Sequence, residues 1–159
     1  MEAVDATPAS QALAALGSAL DGLVGVVESG GLDYEDAEGF VEFMRGFERV
    51  RNRMSLVDHR VLRDAEQRDL AATLCQGRLS RVLPQVLRVS AGEAVRRVRA
   101  AEQVGGRVSM LGESLPPVRL LLAAAQRAGT VTPEQVAIVL TGLAKVDRPG
   151  YSPGGYPAR

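Results

Sequence analysis

Seven arginines lie between residues 78 and 107, where two glutamates are the only acidic side chains, so this stretch carries a net charge of plus five. Guanidinium groups bind phosphate oxygens, and they read the edges of guanine bases through paired hydrogen bonds. The chemistry that these residues favour is therefore non-covalent binding of nucleic acid. The alternative, which is commoner in proteins, is that the arginines only make the outer faces of two helices hydrophilic.

Two short helices are expected to carry these arginines. Apolar residues at steps of three and four from Leu79 to Leu87 predict a first helix, which Pro84 should kink or restart. Ser90 and Glu93 match a capping box, in which each side chain bonds the other residue's amide, so a second helix should run from Ala91 to Val104. The sequence thus predicts a helix-turn-helix-like pair.

If this helix pair binds DNA, two groups of its polar side chains should make different contacts, one with base edges and the other with phosphates. The second helix would place Arg96, Arg99 and Gln103 at base edges, whereas Arg78, Arg81 and Arg88 would lie nearer phosphates. Two positions depart from the usual motif: Pro84 stands where a small residue is typical, and Arg88 where the turn favours glycine.

A longer amphipathic helix is predicted from about residue 33 or 34 onward, after a first helix over Ser10 to Ser29. Its apolar residues recur at three- and four-residue steps and form a stripe that needs a partner helix. The helix-pairing candidates are Phe40, Phe43, Phe47, Val50, Met54, Val57 and Val61. The partner would be the first helix or a second copy of the chain.

Composition favours an all-α fold, an irregular helical bundle in a single domain. The chain has 159 residues, 46% of them hydrophobic but only 4% aromatic, so the core must consist mainly of Leu, Val and Ala. Further helices are expected over residues 118–128 and 133–145. Residues 1–9 are predicted to be a flexible N-terminus, residues 10–146 the helical domain, and residues 147–159 a disordered tail rich in Pro and Gly.

Several classes of function lack the residues they need. His59 is the sole histidine and Cys75 the sole cysteine, so we expect no metal site, no cofactor, no catalytic residue and no small-molecule substrate. We expect His59 at the surface or between helices, and Cys75 packed as a small apolar group. Residues 1–44 hold nine acids and no base, which argues against a signal peptide, and glycines interrupt the first apolar run. A cytoplasmic protein without a membrane span is the expectation.

The chain resembles the actinobacterial 13E12 repeat family, also called domain of unknown function 222, from about Ala19 to Gly150. The resemblance is carried by FERVRNRMSLVDHRVL, LRVSAGEAVRRVRAAEQVG, LGESLPPVRLLLAAAQRAGTVTPEQVAIVLTGL and VDRPG. Many members of that family continue into an HNH nuclease domain. Because that chemistry needs histidines around a metal, the resemblance transfers no catalytic residue to this chain. The chain resembles a family member that is truncated before the nuclease domain.

Three functional hypotheses follow. The first is a non-enzymatic accessory domain associated with nucleic acid, which the family's link to nucleases supports by analogy. The second is a protein-interaction or self-association module that uses the apolar stripe. The third is a truncated remnant with no present activity.

Overall fold

A computed structural model describes residues 7–109 and 111–147 of the chain. Residues 1–6 and 148–159 lie outside the described residues, and they include most of the flexible N-terminus predicted for residues 1–9 and of the disordered tail predicted for residues 147–159. Pro8 and Ala9 belong to the first helix. In the described part the chain forms seven helices and one two-stranded hairpin, so the predicted all-α class is confirmed. The chain divides into two compact units, residues 1–45 and 46–159, with the boundary inside the second helix.

The elements follow one another in the order α1 (Pro8–Glu28), α2 (Ala37–Gln67), α3 (Leu70–Thr73), α4 (Leu79–Leu87), α5 (Ala91–Val104), β1 (Arg107–Val108), β2 (Ser114–Leu115), α6 (Leu120–Arg127) and α7 (Pro133–Val146). Two predicted helix starts were early: α2 begins at Ala37 and α6 at Leu120. The predicted α1 start at Ser10 was two residues late, because Pro8 occupies the first turn and the Thr7 hydroxyl accepts the amide of Ser10 at 3.2 Å.

The helix α1, in the first unit, buries none of its 21 residues. Its mean hydropathy of 1.4 and its length satisfy the criteria for a membrane-crossing helix, and it is the one described helix that does so. The helix is continuous through its glycines, as the prediction of one helix over Ser10 to Ser29 required. Core helices of soluble proteins and signal sequences satisfy the same criteria, so the expected absence of a membrane span stays a prediction.

Two groups of buried apolar side chains form the core of the second unit. The larger consists of Leu62, Leu79, Val82, Leu83, Ala94 and Ala101, and joins α2, α4 and α5. The smaller consists of Val104, Val136 and Leu140, and joins the end of α5 to α7. Among the described elements, α4 and α5 pack together most extensively. The core therefore fixes the two predicted basic helices against each other.

The face of α2 that packs into the second unit is not the predicted apolar stripe. Asn52, His59 and Leu62 are its buried residues. Val57 and Val61 remain 61% and 57% exposed, and the other stripe residues Phe40, Phe47, Val50 and Met54 are also exposed, with Phe43 half-buried. Two polar residues thus occupy the inner face of α2, while its most regular apolar face is open to solvent.

A short hairpin follows α5, where the sequence indicated only a polar connection. Arg107 pairs with Leu115 and Val108 with Ser114 in antiparallel register. Two-residue strands carry too little alternation to be recognised from a sequence. The later capping box was predicted correctly: Thr132 accepts the amide of Gln135 at 3.1 Å, and the Gln135 side chain accepts the amide of Thr132 at 2.9 Å.

Candidate nucleic-acid interface

The turn between α4 and α5 is short and consists of Arg88, Val89 and Ser90. Arg88 adopts a left-handed conformation with φ of 55°, which explains why glycine is favoured at this position. Ser90 then begins α5, its hydroxyl accepting the amide of Glu93 at 3.1 Å. Pro84 lies inside α4, which nevertheless continues from Leu79 to Leu87. The predicted pair of helices and its tight turn are therefore both present.

Three arginines, one within α4 and one at each of its ends, are exposed to solvent. The side chains of Arg78, Arg81 and Arg88 make no hydrogen bond or ion pair with any described residue. Arg81 lies on the side of α4 opposite Leu79, Val82 and Leu83, which are buried, whereas Arg78 and Arg88 flank the two ends of the helix. Their guanidinium groups can bind phosphate without first giving up a protein partner.

The second half of the predicted Ser90 capping box is wrong. Glu93 does not turn back to Ser90; its carboxylate instead accepts from Arg97 at 2.9 Å and from Arg96 at 2.7 Å. These hydrogen bonds, that of Arg97 first, lower the pKa of Glu93, and the same contact raises the pKa of Arg97. Arg97 also lies 3.7 Å from Asp58 on α2. The ion pairs of Glu93 with Arg96 and Arg97 therefore take the place of the hydrogen bond from the Ser90 amide to the Glu93 side chain.

The three residues predicted to face bases have different environments. Arg96 is exposed, although Glu93 holds its guanidinium group. Arg99 is half-buried and donates to the carbonyl oxygen of Leu140 on α7 at 2.7 Å. Gln103 is half-buried, and its backbone carbonyl accepts the amide of Arg119. On α5, therefore, Arg96 is the candidate that the structure leaves at the surface.

The sole histidine is buried, whereas the sole cysteine is exposed. His59 is buried, so of the two predicted environments the interhelical one is confirmed, and burial lowers its pKa against the opposing effect of Asp58. Cys75 is exposed in a left-handed turn after α3, and the expectation that it packs in the core is wrong. The described residues contain no group of three His, Cys, Asp or Glu side chains that could hold a metal ion.

A buried polar group on α2 and α6 was not predicted. The Asn52 amide donates to the carbonyl oxygen of Gly129 at 3.0 Å, the Ser55 hydroxyl to that of Asn52 at 2.6 Å, and the Gln126 amide to the Ser55 hydroxyl at 2.7 Å. The recurrence of polar residues at positions 52, 55 and 59 is helical spacing, and it is the signal that would have indicated this face.

The sequence profile described as "Domain of unknown function (DUF222)" matches residues 42–151. An uncharacterized protein of Mycobacterium tuberculosis strain H37Rv is 37% identical over 93 residues, which cover 58% of this chain and 20% of that protein. A second uncharacterized protein of the same strain is 28% identical over 130 residues, 82% of this chain and 28% of that protein.

The chain thus spans between about a fifth and three-tenths of the length of these relatives. No solved structure matches it. The profile match covers well over half of the chain, including α3 to α7 and most of α2. The chain belongs to the DUF222 family.

Proposed function

We propose that this chain is a non-enzymatic, cytoplasmic accessory domain that associates with nucleic acid through α4, the Arg88 turn and the first half of α5. The observation that carries the proposal is the set of three exposed arginines, Arg78, Arg81 and Arg88, which bind no described residue. Arg96 adds a fourth exposed guanidinium group on α5. Because Arg99 and Gln103, two of the three candidates for base contacts, are half-buried, the proposal predicts phosphate-dominated binding with weak sequence preference.

A gel-retardation assay at low salt with a mixed-sequence DNA duplex tests this proposal. We expect wild-type protein to retain the duplex and the triple variant Arg78→Gln, Arg81→Gln, Arg88→Gln to lose retention. Arg96→Gln should weaken retention to a smaller extent, because Glu93 already neutralises part of that charge. Absence of retention by the wild type, or equal retention by the triple variant, contradicts the proposal.

A second candidate function is self-association through α2. The observation that favours it is the exposure of Phe47, Val50, Met54, Val57 and Val61, five apolar side chains at helical spacing on one side of the helix. A stripe of this kind is the usual seam of a paired helix. Sedimentation velocity over a range of concentrations tests it: we expect a dimer that Met54→Ser together with Val57→Ser disrupts. A strict monomer at high concentration contradicts this function.

A further inference from the structure

The second unit contains an open cleft of about 1250 Å³, bordered by α2, α5, α6 and α7. It lies on the side of α2 that bears Asn52 and His59, and it shares only Met54 with the exposed apolar stripe. Binding sites for small organic molecules typically measure a few hundred to a thousand Å³ and combine apolar walls with a few convergent polar groups. The cleft is large enough for a ligand of nucleotide size.

Polar side chains form the base of this cleft where a helical core would ordinarily place leucine or valine. Asn52, His59 and Gln126 line the cleft, and each is at least 96% buried. The hydrogen bonds among Asn52, Ser55, Gln126 and Gly129 fix the orientation of the Asn52 and Gln126 side chains. Burial of so many polar groups has an energetic cost, which points to a role other than packing.

Two polar atoms in this group have no hydrogen-bond partner among the described residues. They are Nδ1 of His59 and Oε1 of Gln126. Oε1 is a pure acceptor, so a ligand that satisfies it must present an N–H or O–H donor. Because burial lowers the pKa of His59, the imidazole is neutral at pH 7, and one of its nitrogens can accept while the other donates.

The rim of the cleft combines basic and apolar side chains. Arg51 lies 3.7 Å from Glu48 in a largely exposed pair, a contact that costs little to exchange, and Lys145 makes no ion pair with a described residue. Met54 and Ile138 line the cleft and are 45% and 64% exposed, so they offer an apolar surface to a planar ring. Four carboxylates also line the cleft, and their charge disfavours a ligand with several negative charges; they are Glu48, Asp58, Glu93 and Glu134.

We propose that this cleft binds a nucleotide, with a nucleobase N–H directed to Gln126 and His59 and a phosphate held by Arg51 and Lys145. A nucleobase supplies both the donors and the flat apolar faces that this arrangement requires. One phosphate suits Arg51 and Lys145, because the other arginines of the lining, Arg96, Arg97 and Arg99, already bond Glu93 or the carbonyl oxygen of Leu140. The same chemistry is offered by a free mononucleotide and by an unstacked nucleotide of a single strand.

Isothermal titration calorimetry on the full chain tests the site. The probes are the monophosphates of adenosine, cytidine, guanosine and uridine, a short mixed-sequence single strand, and inorganic phosphate alone. We expect saturable heat with at least one monophosphate or with the strand, and tighter binding than that of inorganic phosphate. Heat with a monophosphate identifies a free nucleotide as the ligand, whereas heat with the strand alone identifies a nucleotide within a strand.

Variants separate this site from the arginines of α4. Gln126→Met removes the amide at similar volume and should weaken binding about tenfold, the loss of one buried hydrogen bond. Lys145→Ala and Arg51→Ala, both at exposed positions, should each weaken it about threefold. Arg53→Ala, exposed and outside the cleft, is the matched control. The double variant Arg78→Gln, Arg81→Gln should leave monophosphate binding unchanged, so failure here differs from failure of duplex binding.

Three results overturn the proposal. The first is the absence of saturable heat with every monophosphate and with the strand. The second is binding of inorganic phosphate as tight as that of every nucleotide, since it shows that no base is recognised. The third is unchanged affinity in Lys145→Ala, Arg51→Ala and a Gln126→Met variant whose circular dichroism is that of the wild type.

Discussion

The side-chain amide of Asn52 on α2 donates to the backbone carbonyl of Gly129, 77 residues later, at 3.0 Å. This bond fixes the turn after α6 against the inner face of α2, so a polar residue holds a position that apolar packing would ordinarily occupy. We expect Asn52→Ala to lower the free energy of unfolding by about 1 to 3 kcal/mol, because it leaves a buried carbonyl unpaired. Urea unfolding measures this, with Arg53→Ala as an exposed control; equal midpoints for the two variants would contradict it.

Gly129 itself is required by both its conformation and its surroundings. Its φ is +74°, and a Cβ there would lie 2.5 Å from the carbonyl oxygen of Arg49. We expect Gly129→Ala to destabilise the fold by at least about 2 kcal/mol, since left-handed strain and a backbone clash add together. Gly142 in α7 is the matched control, because a Cβ there meets nothing within 4 Å and alanine should stabilise the helix by about 0.5 to 1 kcal/mol. Similar thermal midpoints for both variants would refute this account.

His59 makes stability depend on pH just below neutrality. Burial lowers its folded pKa from the ordinary 6.5, against the opposing charge of Asp58, so the unfolded chain binds the proton more readily. The free energy of unfolding should therefore be fully developed above pH 6.5 and should fall as the pH drops from 6.5 toward the lowered folded value. Glu93 contributes a separate loss at lower pH, below its ordinary 4.5, because Arg97 and Arg96 lower its pKa.

Chemical unfolding at closely spaced pH values between 5 and 8 measures the His59 contribution. The variant His59→Gln should lose the slope in this range and keep the loss at lower pH. An identical slope in wild type and variant would assign the effect to another group.

Replacing Arg88 with glycine is expected to stabilise the fold and to weaken DNA binding. Because it adopts φ of 55°, Arg88→Gly should relieve the left-handed strain and raise the free energy of unfolding by up to about 1 kcal/mol, after the entropic cost of glycine. The same variant loses a phosphate-binding charge, so its affinity for a DNA duplex should fall. Arg88→Asn, which tolerates this conformation and also lacks the charge, should bind as weakly as Arg88→Gly. A more stable variant with unchanged duplex affinity would remove Arg88 from the interface.

Local signals gave the helical part of this fold correctly. The apolar steps through Leu79 and Leu83, the Ser90 cap and the Thr132 capping box are encoded within four residues of sequence, so they are readable without tertiary structure. The left-handed turn at Arg88 could also be inferred from the sequence. Arg88 stands where the helix-turn-helix motif favours glycine, and glycine is favoured there because of the backbone conformation.

Long-range choices were not readable in this way. The inner face of α2 follows from the contact of Asn52 with Gly129, and the position of Arg99 from its bond to Leu140, 41 residues later. Apolar periodicity identified a regular stripe on α2, but tertiary packing buried the opposite, polar face. The cleft depends on four helices distant in sequence, so its residues carried no joint signal beyond the spacing of positions 52, 55 and 59.

The salt dependence of duplex binding tests the central claim most directly. Each phosphate contact contributes about 0.9 to the slope of log affinity against log salt concentration, so Arg78→Gln with Arg81→Gln should reduce the slope by about 1.8. The double variant Arg53→Gln with Arg127→Gln removes the same charge from exposed positions on α2 and α6, and should leave the slope unchanged. Fluorescence anisotropy from low to physiological salt measures both. A reduced slope in the first variant alone supports nucleic-acid association through α4 and α5, whereas equal slopes in both variants, or no binding by the wild type, contradict it.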